Sequence, residues 1–243
     1  MIESKLPETW EDLQNKVALI LMECGFEAET PKIIETVRGK VEIDVFAIDN
    51  SVKPNTTYLC ECKYWKNPIP QTVIHAFRTV ISDYGANWGL IISSNGFQSG
   101  ALEASKNSNL KLLDWQDFQK LFIERWYNNY FKTNLCKEVE PLIDYTEPIN
   151  TRVFQKADLL TTDAQEKFKT LRGKYVDLAF FALSLYAPWD FESHLPDLPL
   201  NKNQKISSRE LNTLPNDVLN AISYRLITCR KLLILDLTLK DTE

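Results

Sequence analysis

Asp44, Glu61 and Lys63 are the side chains whose types and spacing suit a defined chemistry. Two carboxylates can hold a hard divalent ion such as Mg²⁺ through oxygen, with Mn²⁺ able to substitute. Such an ion orients water and offsets charge developing on a phosphate. An ammonium beside it can steer the water or stabilise the charged transition state. The same three residues would also suit a surface hairpin carrying a salt bridge. Lys63 ends an apolar strand, where a lysine is costly unless paired, so Glu61 or a phosphate is its expected partner.

Two strands must position this trio. Val41, Ile43, Val45 and Ala47 alternate with Glu42, Asp44, Phe46 and Ile48, which predicts one strand with Asp44 opposite Ile43 and Val45. Leu59, Glu61 and Lys63 share one face of a second strand, and Tyr58, Cys60 and Cys62 share the other. Lys53-Pro54-Asn55 between them is turn chemistry, so the pair is expected to form a hairpin. Glu42 shares the Asp44 face and suits an extra ligand or an edge-strand charge. Arg38-Gly39-Lys40 is a basic turn just before the motif, open to a nucleic-acid backbone or simply solvated. Tyr64-Trp65-Lys66 begins an aromatic, basic loop after it. Trp65 suits stacking on a base or covering a sheet edge, and Lys66 suits a phosphate.

The flanking pattern is helical and stranded in turn. Thr9 and Asp12 open a helix with an apolar stripe at Leu13, Val17, Ile20 and Leu21, stopping near Gly25. A helix after Pro70 carries Val73, Phe77, Val80 and Ile81, with Gln71 and His75 one turn apart on another face. His75 suits phosphate contact, proton transfer or a structural role. Trp88-Gly89-Leu90-Ile91-Ile92 reads as a buried strand. A helix from Gln98 to Asn107, a short strand at Leu110–Leu113 and a helix capped by Asp114 follow. This order predicts an α/β fold with a mixed sheet flanked by helices.

Asp44 followed by Glu61-Cys62-Lys63, in this setting, resembles the D…(D/E)xK motif of the PD-(D/E)xK nuclease superfamily. The surroundings resemble the Mrr-type restriction endonuclease domain, over about residues 8–125. The resemblance implies a restriction-endonuclease-like fold and a Mg²⁺-dependent endonuclease acting on DNA in restriction or antiviral defence. It implies Asp44 and Glu61 as metal ligands, Lys63 as the water-positioning group and Gln71 as a supporting residue. The first helix of that pattern usually offers an acid to the site. The matching position here is Gln14, a neutral residue, and Glu11 lies one turn earlier, where it suits either a substitute ligand or a solvated first-turn acid.

Composition sets bounds. The 243 residues suffice for one large domain or two modest ones. Net charge is −5, and 13 Lys and Arg face 17 Asp and Glu through Arg125. Affinity for bare DNA should therefore be modest unless basic residues cluster. A catalytically silent DNA-binding or scaffold subunit is the rival reading, and RNA or modified DNA is an alternative substrate. Five cysteines without disulfide spacing, and only two histidines, predict reduced buried thiols. The N-terminus lacks a signal-peptide core and no apolar run spans a bilayer, so a cytoplasmic protein is expected.

The nuclease-like domain is expected over residues 1–131, a linker over 132–150, and a helical assembly or regulatory region over 151–243. Its helices are expected at Thr151–Ala187, stopped by Pro188, and at Val218–Leu237. They are few for a separate core and predict a homo-oligomer or a protein partner. Arg225, Arg230 and Lys231 form a basic patch or a solvated face there.

Overall fold

A computed structural model describes residues 2–3, 5–134, 137, 143 and 151–184. The chain divides into two compact units, Met1–Tyr130 and Phe131–Glu243. The first unit opens with α1 (Trp10–Glu23). Thr9 caps it by accepting from the Asp12 N–H at 3.0 Å, while Asp12 Oδ2 accepts from the Glu8 N–H at 2.9 Å. Gly25 follows at φ 85, a left-handed conformation that ends the helix cheaply for a residue without Cβ.

Five strands follow it, and then helices and strands alternate. The strands are β1 (Glu27–Glu29), β2 (Lys32–Thr36), β3 (Gly39–Ile43), β4 (Val45–Asp49), β5 (Thr56–Lys63), β6 (Trp88–Ser93) and β7 (Leu110–Asp114). The helices are α2 (Gln71–Tyr84), α3 (Ser99–Ser105) and α4 (Trp115–Trp126), the last running into a π-helical turn, Tyr127–Phe131. Five strands make one sheet in the order β1-β4-β5-β6-β7, while β2 and β3 pair separately. β4 runs antiparallel to both β1 and β5, and β5, β6 and β7 run parallel. The mixed sheet flanked by helices is the expected architecture.

Strand alternation divides the core. Phe46, Leu59 and Ile91 face α2 and α3, packing with Ile74, Phe77, Ile81 and Ala101. Val45, Ala47, Cys60, Leu90 and Ile92 point to the opposite face, where α1 and α4 pack. There Phe26, Phe118 and Phe122 meet edge to face or tilted, with centroids 5.2–5.7 Å apart. Each fully buried Leu, Ile or Phe contributes about 1.5–3 kcal/mol of transfer free energy, which is why these stripes dictate the layers.

One expectation is corrected. Val41–Ile48 is not a single strand. It breaks at Asp44 into β3 and β4, which belong to different sheets. β4 pairs β5 with Val45 opposite Cys60, so extending that register would put Ile43 opposite Cys62. Instead Ile43 pairs Lys32 of β2. The Thr30 hydroxyl donates to the Asp44 carbonyl at 2.7 Å and helps hold the fork. All of β4 except Ile48 is buried.

In the second unit, α5 (Thr151–Asp158) and α6 (Thr162–Ser184) replace the single expected helix. The Thr161 carbonyl accepts from the Gln165 N–H at 2.9 Å, and Gln165 Nε2 donates to the Asp158 and Leu160 carbonyls at 3.1 Å, which restarts the helix. Residues 132–134, 137 and 143, within the expected linker, are helical. The expected helix at Val218–Leu237, with Arg225, Arg230 and Lys231, lies outside the described residues, as do Cys136, Cys229 and His194. No helix among the described residues is long and apolar enough to cross a membrane.

Candidate active site

The fork at Asp44 creates the site. Because β3 peels away, the Cys62 N–H and C=O lose the partner a continued ladder would supply. Asp44 Oδ2 accepts from that N–H at 2.6 Å, and Trp10 Nε1 donates to that carbonyl at 3.1 Å. Asp44 Oδ1 accepts from Gln14 Nε2 at 2.7 Å. A buried carboxylate is thus held by a helix side chain and a strand amide, which satisfies its desolvated oxygens.

Glu61 and Lys63 flank Cys62 on β5 and form an ion pair with each other. Both side chains are about four-fifths buried, at 21% and 17% exposure. Burial pushes the Glu61 carboxyl above its ordinary value, and the Asp44 charge pushes it further, while Lys63 pulls it back. Two carboxylates that repel each other beside an ammonium form a set of hard oxygen donors that a divalent cation would relieve. Among the described residues, no three His, Cys, Asp or Glu side chains gather as a metal-binding group. Asp44 and Glu61 fit a cation as a pair, with Gln14 standing where a third acid would add charge.

The other expected residues fall in three places. Gln14 reaches Asp44, while Glu11, one turn earlier on α1, is exposed. Trp65 and Lys66 lie exposed just beyond Lys63, whose ammonium is 5.7 Å from the Trp65 ring centroid. Their loop is pinned to the β6–α3 turn. The Ser94 N–H donates to the Lys63 carbonyl at 3.0 Å, the Ser94 hydroxyl to the Trp65 carbonyl at 3.3 Å, and Asn95 Nδ2 to the Lys66 carbonyl. Gln71 opens α2, exposed, with its amide oxygen against Gly100 of α3, and His75 lies exposed one turn on.

Arg38 and Lys40 are placed elsewhere. Arg38 lies in the β2–β3 turn and Lys40 near the start of β3, six and four residues from Asp44, which is roughly 20 and 13 Å along an extended strand. Arg38 pairs with Asp83 at 2.9 Å near the end of α2, and Lys40 with Glu35 at 3.6 Å. Glu42 is exposed on β3 opposite Ile33. Cys24, Cys60 and Cys62 are buried free thiols, and burial pushes all three upward, Cys24 to about 12.

Sequence patterns single out neither Trp10 nor Thr30, because their partners, the Cys62 and Asp44 carbonyls, are brought to them only by the fork.

Residues 7–122 match the family model Mrr_cat, described as restriction endonuclease. Among solved structures, the chain is similar to AF1548, a protein of unknown function, at 19% identity and TM-score 0.41, over 69% of this chain and 98% of that one. It is also similar to the DNA modification-dependent restriction endonuclease AspBHI, at 12% identity and TM-score 0.30, over 49% of this chain and 36% of that one. No curated protein sequence matches. Residues 7–122, the segment that carries Asp44, Glu61 and Lys63, thus match the restriction endonuclease family model Mrr_cat, which supports a nuclease-type domain there.

Proposed function

We propose that the protein is a divalent-metal-dependent endonuclease that hydrolyses phosphodiester bonds of DNA, serving restriction of foreign DNA. The observation that carries this reading is the clustering of Asp44, Glu61 and Lys63 at the sheet fork, with the Glu61 carboxyl raised first by burial and then by its like-charged neighbour. Asp44 and Glu61 would hold the cation, which when bound supplies Lewis-acid polarisation of a phosphoryl oxygen. Lys63, anchored by Glu61, positions the attacking water and offsets charge on the phosphate. Hydrolysis adds the water hydroxyl to phosphorus, breaks one P–O ester bond and leaves the departing oxygen to take a proton. Gln14 and the Cys62 amide fix Asp44 so that its carboxylate need not reorganise. Gln71 and His75 extend the site along α2, and the C-terminal helices serve assembly.

The test is a cleavage assay on plasmid and linear DNA with Mg²⁺, Mn²⁺ or chelator. Metal-dependent cleavage is expected, falling by about a thousandfold in Asp44→Asn and Lys63→Ala while circular dichroism is unchanged. Cleavage that persists in both variants rejects the assignment. A protein with no cleavage and no Mg²⁺-induced rise in melting temperature would instead be a silent scaffold, which the neutral Gln14 and the acidic charge favour.

A further inference from the structure

We propose that Trp10 and Trp65 form an aromatic clamp that stacks unpaired bases, so that the site takes single-stranded or locally unpaired nucleic acid. This rests on the nuclease reading and names the substrate class for it. Both rings are 45% exposed, where burial of a large apolar surface would otherwise be favoured. Neither is loose. Trp10 Nε1 donates to the Cys62 carbonyl at 3.1 Å across 52 residues of sequence. Trp65 lies by the Lys63 ammonium, and the Ser94 hydroxyl holds its carbonyl. Cys62 and Lys63 are consecutive, so the Trp10 indole and the Trp65 backbone are both tied to the strand end that carries Glu61 and Lys63. Tyr64, 41% exposed, lies between Lys63 and Trp65 in sequence.

Electrostatics favour the same class. Duplex binding draws on lysines and arginines that neutralise many phosphates. Here Lys16, Lys32, Arg38, Lys40, Lys63 and Arg125 each already pair with an acid of the same unit. Stacking on an indole needs no net positive charge, and every base offers a π face. A duplex hides those faces, whereas a single strand presents them. Half-exposed rings at an acidic site are therefore suited to unpaired bases.

The test uses the full chain in chelator, so that cleavage does not interfere. Fluorescein-labelled oligothymidylate of about 16 nucleotides is compared with a duplex of equal length. The single strand is expected to bind about tenfold more tightly and to quench intrinsic tryptophan fluorescence. Trp10→Ala and Trp65→Ala should each weaken it by about tenfold. Trp10→Phe and Trp65→Phe, which keep a ring and guard against misfolding, should retain most of the affinity. Duplex binding as tight as single-strand binding, or alanine variants that bind like the parent, overturns the clamp. A parallel arm adds Mg²⁺ or Mn²⁺ and follows cleavage of both substrates. Cutting of duplex by a protein whose tryptophans do not matter leaves the nuclease reading intact. Failure to cut either substrate, with the strand still bound through the rings, rejects the nuclease reading alone.

Discussion

Gln14 Nε2 donates to Asp44 Oδ1 across 2.7 Å, with both side chains buried. A neutral amide thus stands where a third carboxylate would bring charge. Gln14→Glu replaces a donor by a like charge and is expected to destabilise the metal-free protein by about 1–3 kcal/mol. Added Mg²⁺ should then raise the melting temperature of the variant more than that of the parent. Scanning calorimetry with and without chelator checks this, and an equal shift in both proteins would count against cation binding at Asp44.

Glu61 carries a pH signature. Its carboxyl is raised above 4.5 by burial and by Asp44. The native state therefore holds a proton to higher pH than the unfolded state, and stability falls as pH rises from 4.5 through the raised value. Glu61→Gln removes that titration. In chelator the variant is expected to match or exceed the parent in melting temperature near neutrality, with the advantage shrinking toward about pH 4. Cleavage should be lost. Melts across this range test it, and a Gln variant clearly less stable than the parent at neutral pH would contradict the repulsion.

Gly100 offers a way to move Gln71 without changing it. A Cβ added at Gly100 would lie 2.7 Å from Gln71 Oε1, the mobile end of a side chain. Gly100 is inside α3, where alanine gains up to about 1 kcal/mol of helix propensity. Gly100→Ala should leave urea stability unchanged or slightly higher while cutting cleavage several-fold. Unaltered cleavage would remove Gln71 from the site.

Arg125 holds the far end of β4. Its guanidinium makes a two-pronged pair with the buried Asp49, donates to the Cys24 carbonyl at 2.8 Å and lies 4.0 Å from the Phe26 ring centroid. Arg125 holds the Asp49 carboxyl well below the usual range, so this stability is present above the ordinary carboxylate value and is lost as the solution becomes strongly acidic. Arg125→Met leaves the buried charge unpaired and is expected to cost about 3 kcal/mol. Urea titration measures it, and the double variant with Asp49→Asn should recover part of the loss.

Much of the fold was legible because burial leaves a period in the sequence. The stripe Leu13, Val17, Ile20 and Leu21 marked α1, and the run Trp88–Ile92 marked an interior strand of the sheet. The trio Asp44, Glu61 and Lys63 was legible by type and spacing. The break at Asp44 was not, since apolar residues continue on both sides of it and Ile43 and Val45 are each buried in different surroundings.

By itself the sequence determined the main apolar stripes, where the helices of the first unit begin, and that two acids and a lysine fall on neighbouring strand segments. Only the tertiary structure decided that the strand forks at Asp44, that Gln14 rather than Glu11 reaches it, that Trp10 covers the freed carbonyl of Cys62, and that Arg38 and Lys40 pair with Asp83 and Glu35. The physical reason is that periodicity records burial, a local property of each residue. Strand pairing and side-chain partners are settled by competition among groups distant in sequence, such as Lys32 and Cys62 for the place opposite Ile43.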